Sequence, residues 1–128
     1  MNKEDTMEWK IAEDRPIWIQ LSEQLTAQIA SGVYQPGQRL PSVREFAADA
    51  GVNPNTMQRA LTDLESKGLI ITNRTAGRSV TQDMETIKQL RTDRAMEQVR
   101  QFLAQMSELG YTKEEIGMVL TQALKEEV

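Results

Sequence analysis

The sequence predicts a mainly α-helical fold with one small β-hairpin, arranged as an N-terminal winged helix-turn-helix followed by two further helices. Three observations lead to this prediction. Short amphipathic segments with helix start and stop signals recur in the first half, a strand-rich segment with a turn follows them, and a long helical pattern fills the rest. We therefore expect one domain at residues 1–82 and a helical segment at residues 83–128.

The composition argues against most enzyme classes. The chain has 128 residues and contains neither cysteine nor histidine, which excludes disulfides, thiolate nucleophiles, Cys/His zinc sites and histidine-based catalytic triads. Carboxylates recur near the C-terminus, at Glu114, Glu115, Glu126 and Glu127. Acidic residues beside a helix start or at a chain end are usually solvated and not bound to metal. We therefore expect no catalytic residue, no metal site and no cofactor.

The distribution of charge and apolar residues bears on partners and location. Lys and Arg number 15 and Asp and Glu 19, so the formal net charge is −4. Only residues 33–83 are net positive, with six basic and five acidic side chains, so the acidic chain can still carry a local basic face. The charged segment Met1–Asp14 lacks the apolar run of a signal peptide, and no segment approaches a membrane span. The expected location is the cytoplasm, with no membrane partner.

The N-terminal part predicts one helix after a short strand. The strand is expected at Trp9–Ile11. The helix should run from about Pro16 to Ser31, since proline suits a first helical turn and a glycine follows at the end. Its apolar side chains recur at spacings of three and four: Trp18, Leu21, Leu25 and Ile29. Trp9 and Trp18 could form a ligand platform, but core or interface packing is favoured because this helix otherwise lacks bulk.

Two short helices follow a connector at residues 33–41, where two prolines and a glycine exclude regular helix. Ser42 and Glu45 have the spacing of a capping box, which starts a helix that ends near Ala50. Asn53-Pro54 is the next start signal, with Asn as the N-cap and Pro at the first helical position. This third helix should extend to Gly68 with its apolar face at Met57, Ala60, Leu61 and Leu64.

A hairpin and two longer helical patterns complete the chain. Leu69–Thr72 is rich in β-branched residues, residues 73–77 supply turn chemistry, and Ser79–Thr81 can return as the partner strand. A helical pattern then runs from about Asp83 to Gly110. The last helix follows a second capping box, formed by Thr112 and Glu115.

The second and third helices, joined by Gly51-Val52, match a helix-turn-helix. Their apolar positions face each other, which leaves one side of the third helix free for a partner. That side carries Asn55, Gln58, Arg59, Thr62 and Ser66. Such side chains read base edges in the major groove of DNA, although an ordinary solvated polar face has the same composition. The hairpin favours the DNA interpretation, because it adds a wing with Arg74 and Arg78, and Arg44 opens the second helix.

Three segments in order resemble the GntR family of bacterial transcription regulators: residues 40–47 (LPSVREFA), 51–61 (GVNPNTMQRAL) and 64–70 (LESKGLI). The resemblance covers residues 16–80, and the Asn53–Thr56 turn with the short C-terminal extension looks like the YtrA subfamily. It implies a winged DNA-binding domain followed by about two dimerising helices. This chain departs from the family pattern at Pro54, where many members have Arg, and in the wing at Thr75 and Ser79.

The resemblance implies a DNA contact for Arg44, DNA-facing positions at Asn53, Asn55, Thr56 and Gln58, and a wing-tip glycine at Gly77. Together with the polar side of the third helix and the wing cations, the predicted DNA-binding set is Arg44, Asn53, Asn55, Thr56, Gln58, Arg59, Thr62, Arg74, Gly77 and Arg78. With the departures in the wing, Arg74 and Arg78 could contact phosphate or be solvated hairpin charges.

The C-terminal helices predict a homodimer. A tail of two helices has too little sequence to bury both apolar faces alone, so a partner subunit is the natural cover. The predicted dimerisation residues are Val99, Phe102, Leu103, Met106, Leu109, Ile116 and Leu120. The leading hypothesis is a dimeric regulator, a repressor by analogy with the family, that binds an inverted repeat in double-stranded DNA. The alternative is a winged-helix adaptor for other proteins. An unidentified small-molecule effector stays open as a further partner.

Overall fold

The computed structural model of the protein describes residues 8–127. In chain order the elements of this part are α1 (Ile17–Ala30), α2 (Val43–Ala50), α3 (Pro54–Ser66), β1 (Ile70–Asn73), β2 (Gly77–Val80), α4 (Met84–Glu108) and α5 (Lys113–Glu127). The mainly helical class with one small hairpin is confirmed. The expectation of a missing signal peptide rests partly on residues 1–7, which lie outside the described part.

The chain divides into two compact units, Met1–Arg91 and Thr92–Val128. The first eight residues of α4, 84–91, belong to the first unit. Ile87 is buried in the core of that unit and Leu90 packs against it. Arg91 Nε also donates to the carbonyl of Ala30 at the end of α1, at 3.1 Å. The functional division at residue 82, between a DNA-binding and a dimerising part, stays a prediction.

The core of the first unit joins α1, α2, α3 and the hairpin. The predicted apolar faces are buried except for Trp18, which is half-buried, and Leu21, Met57, Ala60, Leu61 and Leu64 are fully inaccessible to solvent. Burying a leucine or methionine side chain contributes about 1.5–3 kcal/mol. The helix-turn-helix is therefore held by packing, which leaves the outward side of α3 free of any structural duty in the core.

The segment before α1 is not the short strand predicted at Trp9–Ile11, and no strand within residues 8–127 pairs with it. Two glutamines of α1 bind its backbone instead. Gln20 is 2% exposed; its amide donates to the carbonyls of Ala12 and Arg15, and its Oε1 accepts from Ala12 N at 2.7 Å. Gln24 makes the same reciprocal pair with the backbone of Lys10. Side-chain amides thus supply the donors and acceptors that a partner strand would have supplied.

The two tryptophans differ in their surroundings. Trp9 packs edge to face on Phe46, with ring centroids 6.1 Å apart, and Tyr34 also packs edge to face on Phe46, at 6.2 Å. The indole Nε1 of Trp9 donates to Asp49 Oδ2 at 2.8 Å, which satisfies its only donor. Trp9 therefore packs as predicted and fastens the N-terminal segment to α2. Trp18 is half-buried on α1.

The predicted helix starts are confirmed. Ser42 Oγ accepts from Glu45 N at 3.2 Å while Glu45 Oε1 accepts from Ser42 N at 3.1 Å. Hydrogen bonds from the backbone and side chain of Ser42 lower the pKa of Glu45 below its ordinary value. Thr112 and Glu115 form the second capping box in the same way. Gly51 between α2 and α3 has φ +70°, a left-handed conformation that glycine adopts without a steric cost.

The wing is larger than the predicted hairpin. β1 and β2 pair in register from Ile70 with Val80 to Asn73 with Gly77. The connector before α2 also pairs with β2, since Leu40 N donates to Arg78 O at 2.8 Å and Val80 N to Gln38 O at 2.9 Å. The prolines of the connector exclude helix but allow this short extended stretch. Residues 37–40 thus lie along the free edge of β2.

Candidate nucleic-acid interface

The outward side of α3 forms a polar face of Asn55, Gln58, Arg59, Thr62 and Ser66, all exposed. At about 100° per residue, Asn55, Thr62 and Ser66 lie within about 20° of one line along the helix. Arg59 and Gln58 border this line on opposite sides. Gln58 Nε2 donates to Thr62 Oγ1 at 3.3 Å. The face therefore presents amide, hydroxyl and guanidinium groups and no carboxylate.

One carboxylate of α3, that of Asp63, points toward α1. Asp63 Oδ2 accepts from Ser22 Oγ of α1 at 2.7 Å and from Lys67 Nζ at 3.0 Å. Partial burial raises the pKa of Asp63, but the hydrogen bonds from Ser22 and Lys67 and the charge of Lys67 outweigh it, so the pKa is lowered. The ionised carboxylate is thus bound by α1 on one flank of the polar face.

The other carboxylate of α3, that of Glu65, points toward the wing. Arg78 Nε donates to Glu65 Oε1 at 2.7 Å, and the two side chains are 19% and 31% exposed. Partial burial raises the pKa of Glu65, but hydrogen bonds from Arg78 and Thr72 and the charge of Arg78 lower it overall. Both carboxylates of α3 are therefore turned away from the polar face, one to each side.

The start of α3 places two predicted site residues close together. Asn53 Oδ1 accepts from Asn55 N at 2.8 Å, so its oxygen caps the helix while its amide NH₂ group remains a donor. Thr56 follows in the first turn and is half-buried. The N-terminus of a helix also favours negatively charged groups such as phosphate. The first turn of α3 can therefore hold both the helix cap and a contact to an anionic partner.

Four arginines of residues 33–83 make no ion pair within residues 8–127: Arg39, Arg44, Arg59 and Arg74. Arg44 lies in the first turn of α2 and Arg74 in the hairpin turn, and both are exposed. Their predicted DNA contacts stay predictions. Arg78 differs, because Glu65 holds its guanidinium; its predicted DNA contact also stays a prediction.

Arg39 was missed by the sequence reasoning. It forms a β-bridge with Ser79, and its Nε lies 3.9 Å from the point that a Cβ on Gly77 would occupy. Its charge also contributes to the lowered pKa of Glu45. Arg39 therefore lies beside both the wing and the start of α2. In the sequence, Arg39 is indicated only as a basic residue in the connector directly before Leu40-Pro41. Its position beside the wing becomes visible only from the pairing of the connector with β2.

The hairpin turn is held by hydrogen bonds to the side chain of Asn73. Asn73 Oδ1 accepts from Thr75 N at 2.9 Å, from Thr75 Oγ1 and from Ala76 N. Gly77 then takes φ +82°, as expected for glycine closing a three-residue hairpin loop. Thr75, a departure from the family pattern, thus has a structural role in the turn.

Comparison with known proteins identifies the family. The model of the gntR family of bacterial regulatory proteins matches residues 19–80. The HTH-type transcriptional regulator YhcF of Bacillus subtilis is 36% identical over 110 residues, 86% of this chain and 91% of its own length. A solved GntR family transcriptional regulator from Listeria monocytogenes has a TM-score of 0.79 and 37% identity, covering 88% of this chain and 98% of its own. The chain belongs to the GntR family.

Two further similar proteins bear on subfamily and DNA binding. The HTH-type transcriptional repressor YtrA of Bacillus subtilis is 38% identical over 71 residues, 56% of this chain and 55% of its own length, which supports the YtrA-like subfamily. The structure of the AraR DNA-binding domain in complex with operator ORX1 has a TM-score of 0.51 and 28% identity over 59% of this chain and 92% of its own. The GntR chain described here is a DNA-binding transcription regulator with a winged helix-turn-helix.

The C-terminal unit of this GntR regulator exposes most of the predicted dimerisation residues. Val99 is 44% exposed, Leu109 72% and Leu120 43%, and Leu103 is exposed as well. Phe102 and Met106 are half-buried. Ile116 differs, since only 4% of it is exposed; it packs inside the chain and offers little surface to a partner. The dimerisation role of the set stays a prediction.

Membrane-spanning helices are absent from the described part of the GntR chain. No helix within residues 8–127 has both the length and the apolar character that crossing a bilayer requires.

Proposed function

We propose that this GntR regulator is a repressor that binds an inverted-repeat operator as a homodimer, with α3 of each subunit in the major groove. The observation that carries the proposal is the division of charge on α3. Asp63 and Glu65 are bound to α1 and the wing, while the polar face between them carries only groups that pair with base edges and phosphates. The relative YtrA, named a repressor, supports the repressor role.

In this proposal Asn55 and Thr62 read base edges from the middle of the polar face, and Gln58 lies at its border and donates to Thr62 Oγ1. Arg44, Arg74 and Arg39 contact phosphate on either side of the groove. These residues bring no nucleophile or general base together, so binding and not catalysis is the activity. A regulator of transcription acts where the chromosome is, so location in the cytoplasm is part of the same proposal.

The test is selection from a random duplex library at near-physiological salt with wild type, Arg44→Ala and Lys113→Ala. Lys113 opens α5 outside the proposed DNA interface, so its variant is a control with the same change of charge. We expect wild type and Lys113→Ala to enrich an inverted repeat and Arg44→Ala to bind it more weakly. Affinity should fall with salt with a log–log slope of about −0.9 per contacted phosphate. Absence of any enriched duplex with folded protein would favour the adaptor alternative.

The homodimer is proposed from the apolar surface of the C-terminal unit. Exposed apolar surface on two helices is stabilised when a partner buries it. A second copy of the chain can bury this surface against its own equivalent surface through two-fold symmetry. Two winged domains related by that symmetry match the two halves of an inverted repeat. Sedimentation of a monomer at micromolar concentration, with and without operator, would contradict this part. An effector between the subunits would appear as a compound that changes operator affinity.

A further inference from the structure

Arg59, on the polar face of α3, is held by an aromatic ring of α1. Its Cζ lies 4.3 Å from the centroid of the Trp18 ring. Trp18 is half-buried, whereas Arg59 is exposed. A guanidinium at this distance over an indole ring makes a cation–π interaction, and tryptophan is the strongest aromatic partner for it.

This interaction orders Arg59 without occupying its hydrogen-bond donors. A guanidinium carries five N–H donors, and an indole face accepts none of them as a conventional hydrogen bond. Arg78 shows the opposite case, because its Nε is bound to Glu65 at 2.7 Å. Of these two arginines, Arg59 is the one whose side chain is both positioned and available.

We propose that Trp18 is a positioning residue that holds Arg59 ready to bind a phosphate of the operator backbone. The inference rests on the proposed function, since it requires α3 to lie in the major groove. Arg59 is about 40° from the Asn55 line on the side of α1, the same side on which Asp63 meets Ser22. A side chain at the border of the polar face reaches the groove wall, where the phosphates lie, and not its floor.

The energetic benefit is a smaller ordering cost at binding. A long side chain that becomes fixed at an interface costs about 0.5–1.5 kcal/mol in lost freedom, which corresponds to about two- to tenfold in affinity. Trp18 removes part of this cost before DNA arrives. Each subunit of a dimer would gain this factor once.

The experiment is a double-mutant cycle on the duplex enriched by wild type, using wild type, Trp18→Leu, Arg59→Gln and the double variant. Trp18→Leu should weaken binding by up to about tenfold per subunit and should have little further effect once Arg59 is Gln. Arg59→Gln should make the salt slope shallower by about 0.9 per lost phosphate. Trp18→Phe keeps an aromatic ring and should lie between wild type and Trp18→Leu.

Circular dichroism and the Tm of each variant show whether α1 still folds, and Trp18→Phe serves if Trp18→Leu does not. If Trp18→Leu lowers operator affinity equally with Arg59 and with Gln at that position, Trp18 has a merely structural role. This result would overturn the inference while the proposed function stands. An Arg59→Gln variant with an unchanged salt slope would overturn the phosphate contact. A wild type that enriches no duplex would overturn the proposed function, and the inference with it.

Discussion

Replacing Glu65 with Gln tests how the wing is attached to α3. The substitution keeps the side-chain shape but removes the charge that binds Arg78 at 2.7 Å. Exposed ion pairs contribute about 0–1 kcal/mol and hydrogen bonds to charged groups about 1.5–3 kcal/mol. The side chains of Arg78 and Glu65 are 19% and 31% exposed, so the contribution of this pair to stability should lie between these two ranges. We expect Glu65→Gln to lower the free energy of unfolding by about 1–2 kcal/mol at neutral pH.

The pH dependence gives this prediction a sign. The pKa of Glu65 is lowered from its ordinary 4.5, since hydrogen bonds from Arg78 and Thr72 outweigh the effect of partial burial. A group whose pKa is lowered in the folded state stabilises the fold above its unfolded pKa, and this contribution is lost as the pH falls through the folded pKa. The difference in the free energy of unfolding between wild type and Glu65→Gln should therefore be largest at pH 7 and should shrink below pH 4.5.

The assay is urea unfolding followed by circular dichroism at pH 7 and at several acid values. In a thermal melt the same loss appears as a lower Tm, by about 4–8 °C per kcal/mol for a domain of 60–100 residues. Equal stability of the two proteins at pH 7, or a gap that does not change with pH, would refute the reasoning. Arg78→Gln is the matched variant: it should lose similar stability, and the salt dependence of its DNA affinity tests the predicted phosphate contact of Arg78. A shallower slope would show that Arg78 contacts phosphate.

Three further predictions address the core, the DNA interface and the dimer. Leu61 is fully buried, so Leu61→Ala should cost about 2–5 kcal/mol in urea unfolding, and a loss below about 1 kcal/mol would contradict the assigned core. Arg44→Ala and Asn55→Ala should weaken operator binding in fluorescence anisotropy without lowering the Tm, because both side chains are exposed; melting losses equal to that of Leu61→Ala would argue against this division. Leu103→Asp should shift the protein to a monomer in sedimentation, since a charge in an apolar contact is unfavourable, and an unchanged dimer would place the interface elsewhere.

Local signals in the sequence were sufficient for the helices and their starts. The Ser42-Glu45 and Thr112-Glu115 boxes join residues three apart, so their spacing alone identifies them. Asn53-Pro54 likewise carries its own start signal. The resemblance to the GntR family, confirmed by the comparisons, rested on the same continuous segments.

Contacts between distant segments could not be predicted in this way. Gln20 binds the backbone eight residues earlier, and it has no property that distinguishes it from any other polar residue on a helix. Arg39 and Ser79 are forty positions apart, and their pairing depends on how the connector returns to the wing. The sequence likewise shows Trp18 only as one member of an apolar face. Its contact with Arg59 requires the crossing of α1 and α3.

The acidic composition of the chain is compatible with DNA binding because the carboxylates near the interface have other partners. Each of the five acidic side chains in residues 33–83 is bound to a protein group: Glu45 to Ser42, Asp49 to Trp9, Asp63 to Ser22 and Lys67, Glu65 to Arg78, and Asp83 to Thr86. These contacts cap helices and join elements, so they fix where the negative charge lies. The arginines without an ion pair then determine the positive electrostatic potential at the surface that contacts the phosphate backbone. Because these positions are set by the fold, loss of one such contact should change DNA binding more than an equal change of charge on α5.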